Sequence, residues 1–312
     1  MRAVCLMGPT ASGKTDYALA LAKHLPAEIV SVDSALVYRH MDIGTAKPDP
    51  GARGTVPHHL IDVADPAEPY SAGRFREDAL AAMEAIRGRG RIPLLVGGTM
   101  LYFRALQQGL ARLPPADEAT RRRIEDQARV RGWPAMHREL EKVDPEAAAR
   151  IRPTDGQRIQ RALEVWELTG CPLTRLQRAG TAPSAWAFLK LAMAGTDRPQ
   201  LHRAIEERFD AMLAAGLEAE VRRLHARGDL GPQLPSVRAV GYRQLWGWLE
   251  GEYDREEAIR RAVTATRRLA KRQMTWLRSE PSLEWLPDPP PEPAVLAGRI
   301  ARWAGISAGR VC

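Results

Sequence analysis

Eight residues near the amino terminus have the spacing of a phosphate cradle. Gly8-Pro9-Thr10-Ala11-Ser12-Gly13-Lys14-Thr15 fits the pattern G-x-x-x-x-G-K-[ST] at every fixed position. Glycines let the chain turn so that successive backbone N–H groups converge on an anion, and a following helix adds the partial positive charge of its N-terminus. Lys14 contributes a mobile cation, and Thr15 a hydroxyl of the kind that binds Mg²⁺. A second chemical group is Asp33, which closes the apolar run at 28–33. An acid there serves as a magnesium ligand, a general base or a helix cap. A nucleotide-hydrolysing enzyme usually places a magnesium-holding Asp at the end of another apolar strand. Here the run at 92–96 ends instead in Gly97-Gly98-Thr99.

These groups need elements to position them. Residues 3–7, 28–33 and 92–96 are short apolar runs that predict buried strands. The first is followed by the glycine turn and a helical run from Lys14 to Leu25. A helix over 72–87 carries small or apolar residues at 75, 79, 80, 83 and 86. Alternation of strand and helix predicts an α/β fold with a parallel sheet covered on both faces, the layout of P-loop proteins. From Pro114-Pro115 to Pro183 the periodicity is purely helical, and Thr154-x-x-Gln157 has capping-box spacing. We therefore expect a core formed by 1–114 and 183–312, interrupted by a helical insertion over 115–182. Residues 187–194 read as a further strand, 199–227 and 255–278 as helices, and 287–293 as a proline-rich linker before a terminal helix.

The chain has 312 residues and a formal net charge of +8, an excess that suits a polyanionic partner without naming one. Its three cysteines, Cys5, Cys171 and Cys312, have no zinc spacing and read as structural thiols in a reducing compartment. No stretch approaches the roughly 18 apolar residues of a membrane span, so a soluble cytoplasmic protein is expected. His58 and His59 are adjacent in an extended run, and their side chains must point to opposite faces, which argues against shared metal ligation. Trp246 and Trp248, beside Leu245 and Leu249, read as core or core edge. Arg198, Arg203 and Arg208 are equally suited to a diphosphate and to a solvated helix face.

Further segments converge on one family. Asp33-Ser34-Ala35-Leu36-Val37-Tyr38 runs on to Met41-Asp42-Ile43-Gly44-Thr45-Ala46-Lys47-Pro48. His58-His59-Leu60-Ile61-Asp62, Tyr70-Ser71, Phe75, Gly97-Gly98-Thr99 and Tyr102 follow. Then come Gln157-Arg158-Ile159-Gln160-Arg161, Arg238-Ala239-Val240-Gly241-Tyr242-Arg243, and Lys271-Arg272-Gln273-Met274-Thr275-Trp276-Leu277-Arg278. Together, from about residue 3 to 280, they resemble the bacterial tRNA dimethylallyltransferases.

That resemblance implies transfer of the dimethylallyl group of dimethylallyl diphosphate to N6 of adenine 37, beside a tRNA anticodon, with release of diphosphate. It implies that Gly8 to Thr15 hold the diphosphate, with Mg²⁺ near Thr15, that Asp33 is the general base and that Thr99 contacts the same amine. It further implies tRNA contact by Asp33, Ser34, Ala35, Leu36, Thr99 and Arg121, by the 157–161 segment, by Arg238 and Arg243, and by residues 271–278. Some relatives carry Gln where this chain has Leu36, so a polar side-chain contact to the base is missing there. A monomer bound to a tRNA anticodon stem-loop is the expected assembly.

The residues themselves support an RNA surface. On a helix over 255–278, Arg260, Arg267, Lys271 and Arg278 fall within roughly 20° of one another at 3.6 residues per turn, flanked by Arg261, Arg268 and Arg272. Such a stripe fits phosphate contact, which positions RNA without reading sequence. Three other readings share the phosphate loop: a small-molecule kinase, an adenylate isopentenyltransferase acting on a free nucleotide, and an RNA-binding nucleotide switch. The basic helix and the 157–161 segment count against the first two. The absence of an N-K-x-D-like element counts against the last.

Overall fold

Short runs rich in Val, Ile and Leu with no polar face can be buried only in a sheet covered on both sides. The computed structural model, which describes residues 1–111, 113–179, 184–193 and 197–306, contains that sheet. In chain order, β1 (Arg2–Met7) leads through the phosphate loop to α1 (Lys14–Ala22) and β2 (Ala27–Val32). There follow α2 (Pro50–Thr55), β3 (His58–His59), α3 (Ala72–Gly88), β4 (Ile92–Gly97) and α4 (Met100–Gln108). The helices α5 (Glu118–Arg131), α6 (Trp133–Val143), α7 (Pro145–Arg150), α8 (Gly156–Thr169) and α9 (Leu173–Arg178) come next. The chain then returns as β5 (Ala187–Met193), α10 (Arg198–Ala214), α11 (Leu217–His225), α12 (Tyr242–Leu249), α13 (Arg255–Ser279), β6 (Glu284–Leu286) and α14 (Pro293–Ala304).

The strand order is β3-β2-β4-β1-β5-β6 with every pairing parallel. The chain leaves β1 for β2 on one side and later crosses to β5 on the other. The order therefore switches beside β1, where an open parallel sheet leaves a crevice at its carboxyl edge. Period-two alternation divides β1 between two cores. Ala3, Cys5 and Met7 join Phe75, Phe103 and Leu245 on one face, while Val4 and Leu6 join Leu21, Leu296 and Ile300 on the other.

Backbone contacts divide the chain into two units, Met1–Gln107 with Ser184–Cys312, and Gln108–Pro183. The second begins a few residues before the Pro114-Pro115 pair, because composition marks a turn whereas contacts mark where packing changes. Its own core joins Ile124, Leu140, Ile159 and Val165. Buried Asp144 caps α7 through the Ala147 N–H and accepts from both the N–H (2.9 Å) and hydroxyl (2.7 Å) of Thr174.

Several expectations shift. The helix predicted over 199–227 is two helices, broken at Gly216, whose φ of 100° no continuing helix adopts. The cap of α8 is Asp155, which accepts from the Arg158 N–H, and not Thr154. Strands β3 and β6 are too short to carry periodicity. The predicted boundary at 182–183, Ala194 and Cys312 lie outside the described residues.

Candidate functional site

Three chain segments meet at the carboxyl edge of the sheet because three adjacent strands end there. The phosphate loop leaves β1, Asp33 follows β2, and Gly98-Thr99 follows β4. The Thr99 N–H donates to the Val32 carbonyl at 3.2 Å, and its Oγ1 accepts from the Ser34 N–H at 3.0 Å. Asp33 Oδ1 accepts from the Ala35 N–H at 2.8 Å and from the Leu36 N–H at 3.4 Å. The capping role is therefore taken by one oxygen of the carboxylate.

Above this edge is a cavity of about 160 Å³. Its polar floor includes Thr10, Lys14, Thr15, Asp33 and Arg208. Its apolar wall comes from Ile205, Phe209 and Met212 of α10, with Val240 and Leu269. Burial pulls the Lys14 ammonium down to about 8; Asp33 opposes that shift and Arg208 adds to it. Burial also lowers Arg208, against the pull of Asp33 and Asp16. Two half-buried cations crowded beside the Asp33 carboxylate are short of negative charge, the electrostatics of an anion site. Lys14 Nζ donates meanwhile to the loop's own Pro9 carbonyl at 3.0 Å, and the buried Ser12 Oγ has no partner among the described residues.

Of the residues assigned from sequence, Thr10, Ala11, Lys14, Thr15, Asp33, Ala35, Leu36 and Gln273 line this cavity. Ser34 and Thr99 sit beside it, joined to each other. Arg208 is the member that sequence left undecided. Its signal was an apolar stripe, Ile205, Phe209 and Met212 at helical spacing, that shares a helix with it. Gln273 has a different task from outward contact. Its Nε2 donates to the Gly98 carbonyl and its Oε1 accepts from the Thr10 N–H, both at 2.9 Å.

The loop 42–46 forms another wall, held by Glu220 of α11. The Glu220 carboxylate, 2% exposed, accepts from the N–H groups of Asp42 (2.9 Å), Ile43 (2.9 Å) and Gly44 (3.1 Å) and from the Tyr242 hydroxyl (2.5 Å). A Cβ at Gly44 would sit 2.6 Å from the Tyr242 ring, so only glycine allows this approach. Lys47 closes the loop on Asp42 and Asp62, each at 2.5 Å.

On α13, Arg268, Lys271, Arg272 and Arg278 are exposed and make no ion pair among the described residues. Arg260 and Arg261 share Glu257, and Arg267 pairs with Glu206, so part of the stripe is neutralised by acids outside it. Thr275 and Trp276 are exposed, whereas Met274 packs on the core. Leu277 is a correction: it is fully buried, because the helix turns that position to the sheet, and its side chain is unavailable to RNA. Arg238 and Arg243 are exposed.

Within the insertion, Gln157 and Arg158 are exposed. Ile159 is a second correction: it is fully buried in the helical core, where an apolar side chain on the inward face of α8 belongs. Gln160 bonds the Arg121 carbonyl and Glu125. Arg121 and Arg161 both grip buried Glu164, at 2.9 and 2.7 Å. Burial alone would raise the Glu164 carboxyl. The bonds from Arg161, Arg121 and the Asp117 N–H outweigh it and hold the group below its usual range. His58 and His59 bond the Val56 carbonyl and Glu28 respectively.

A parallel sheet with a phosphate loop after β1, a carboxylate after β2 and a cavity that is cationic below and apolar beside defines a phosphate-loop α/β enzyme. The family described as IPP transferase matches residues 36–280, and the chain belongs to it. It is 61% identical to the tRNA dimethylallyltransferase of Alkalilimnicola ehrlichii over 88% of this chain and 87% of that one. It is 56% identical to that of Thioalkalivibrio sulfidiphilus, over 96% and 93%. The solved tRNA isopentenylpyrophosphate transferase of Bacillus halodurans superposes with a TM-score of 0.70 at 37% identity, covering 96% of each chain. Among the described residues no helix is long and apolar enough to cross a membrane.

Proposed function

We propose that the protein is a tRNA dimethylallyltransferase that joins the dimethylallyl group of dimethylallyl diphosphate to N6 of the adenine 3′ of the anticodon. One observation carries this reading: a single cavity sets Lys14 and Arg208 beside the Asp33 carboxylate and an apolar wall of Ile205, Phe209 and Met212. A diphosphate head and a branched five-carbon tail ask for those two surfaces, and an amine acceptor asks for the carboxylate.

In this reading N6 attacks C1 of the allylic group while the C1–O bond to diphosphate breaks. Asp33 takes the proton that N6 loses. The phosphate-loop N–H groups, Lys14 and Arg208 stabilise charge gathering on the departing diphosphate. Thr99, fixed by the Ser34 N–H, orients the amine. The Thr15 hydroxyl at the cavity wall fits a hard cation that takes most of its ligands from substrate phosphates. Mg²⁺ held there would neutralise the leaving group. The reacting base must leave its stack to reach this depth. We assign the exposed cations Arg268, Lys271, Arg272 and Arg278 to RNA phosphates, and expect a monomer working in the cytoplasm.

Incubation with labelled dimethylallyl diphosphate, Mg²⁺ and unmodified tRNA tests the reading. Label recovered in adenine supports it, whereas no label together with ATP turnover on a small hydroxyl acceptor defeats it. Asp33→Asn should lower kcat by about 10²–10⁴-fold, the usual worth of a general base, with RNA affinity nearly unchanged.

A further inference from the structure

The apolar side of the reaction cavity does not end in solid core. A second cavity, of about 470 Å³, lies beyond it, and the two have Ala46, Arg208 and Met212 in common. Both walls run on from one to the other. On α10 the lining residues are Ile205, Arg208, Phe209 and Met212 in the reaction cavity, then Arg208, Ala211, Met212 and Ala215 in the outer one. That is one helix face followed about a turn further towards its carboxyl end. On the loop side, Gly44, Thr45 and Ala46 give way to Lys47, Pro48 and Asp49, together with Asp42 and Ile43. The two spaces therefore meet between Met212 and Ala46.

Beyond that boundary the lining suits hydrocarbon rather than a second anion. Ile43, Pro48, Pro50, Ala211 and Ala215 supply apolar surface. The loop-side charges are already partnered: Lys47 with Asp42 and Asp62, Arg53 with Asp62, and Asp49 with the Ala52 N–H at 2.8 Å. One side of the boundary is fixed. Ala46 is held at a φ of 51°, with its N–H donating to the Ile43 carbonyl at 2.9 Å, in the loop that Glu220 and Lys47 anchor. The other side is a single half-buried methionine, an unbranched and adaptable side chain. Met212 sets the width of the passage.

Size gives this a chemical meaning. A cavity of about 150 Å³ encloses one benzene-sized molecule. The reaction cavity, of about 160 Å³, has room for a five-carbon tail but not for ten carbons, the more so because diphosphate takes part of the same space. A second isoprene unit extends from the end of the tail remote from diphosphate, which is the direction of the outer cavity. We infer that Met212 fixes the chain length of the donor. It stops the tail at five carbons, and the outer cavity is where the second unit of a ten-carbon allylic diphosphate lies once that side chain is shortened. The longer donor reacts through the same bonds: N6–C1 forms, C1–O breaks and Asp33 takes the N6 proton. The inference rests on the prenyl transfer proposed above.

The test compares dimethylallyl and geranyl diphosphates on wild type, Met212→Leu and Met212→Ala. Transfer to unmodified tRNA is one readout. Binding of the two thiolodiphosphate analogues, whose bridging sulfur resists transfer, is the other. The wild type should favour the five-carbon donor in kcat/KM. Met212→Ala should raise the geranyl-to-dimethylallyl ratio by about 10–200-fold, the range over which hydrophobic pockets discriminate by size. Met212→Leu, close in volume, should keep the wild-type ratio. Adding Ala211→Phe to Met212→Ala refills the outer cavity and should return the ratio towards wild type; an unreturned ratio overturns that cavity as the place of the second unit. Thermal unfolding checks that each variant folds. General loosening of α10 would lower both donors alike, and an unmoved ratio overturns the role of Met212. Equal transfer of both groups by the wild type overturns it without any variant. A shifted binding ratio with no transfer of either group to tRNA sinks the transferase reading alone, whereas dimethylallyl transfer with an unmoved ratio sinks the assignment of Met212 alone.

Discussion

Gln273 and Thr10, 263 residues apart, are joined by a 2.9 Å hydrogen bond from the Thr10 N–H to the Gln273 Oε1. The Gln273 Nε2 donates in turn to the Gly98 carbonyl, so one amide on α13 pins the phosphate loop to the end of β4. The approach is so close that a Cβ at Gly98 would lie 2.4 Å from Gln273 Nε2 and 3.0 Å from the Gly8 carbonyl. Loop shape thus depends on a helix that belongs to the opposite end of the sequence.

Removing that amide should loosen the loop without unfolding the sheet. For Gln273→Ala we expect about tenfold weaker binding of inorganic pyrophosphate, the order expected from losing two hydrogen bonds worth about 0.5–1.5 kcal/mol each. Isothermal titration measures it. Wild-type affinity would show that the loop holds its shape unaided.

Donor affinity should depend on pH through Lys14. Its ammonium titrates near 8 in the free protein, and an anion binds the protonated form better. After allowance for the ligand's own ionisation, pyrophosphate affinity should be flat below that pH and fall by up to tenfold per pH unit above it. Lys14→Met should bind weakly and lose the inflection. A profile flat from pH 7 to 10 in the wild type would show that Lys14 stays charged throughout.

Glu220 should matter to stability and to the site together. Glu220→Ala leaves three backbone N–H groups and the Tyr242 hydroxyl without their acceptor. We expect a loss of about 3 kcal/mol in denaturant unfolding, with charge-assisted bonds worth about 1.5–3 kcal/mol each and partial relief by water. Because Gly44, Thr45 and Ala46 line the cavity, KM should rise as well. An unchanged unfolding midpoint would remove Glu220 as the anchor of this loop.

In the insertion, Glu164→Gln should weaken the local fold. A buried carboxylate gripped by two arginines is replaced by a neutral group, at a cost of about 1–3 kcal/mol. Hydrogen exchange should quicken for amides within 108–179. The carboxyl is held below its ordinary value, so its stabilisation is complete above that value and disappears as pH falls through the lowered one. Exchange rates identical to wild type at pH 7 would assign Glu164 no structural role.

The phosphate loop, the strands at 3–7, 28–33 and 92–96 and the helical character of the insertion are local properties. Loop spacing, apolar runs and 3.6-residue periodicity are written in consecutive residues, and Asp33 stands out because it ends such a run. Contacts between distant segments have no such trace. Nothing near Gln273 announces that it bonds Thr10 and Gly98, and nothing near Glu220 announces the loop at 42–44. Ile159 and Leu277 turn inward within otherwise polar motifs, because a motif records residue types whereas burial follows the apolar phase of the helix and what the rest of the chain lays against it. Arg208 shows the division most plainly: the sequence left it equally suited to a diphosphate and to a solvated helix face, and only the crossing of the chain from β4 to β5 placed that helix over the carboxyl edge of the sheet.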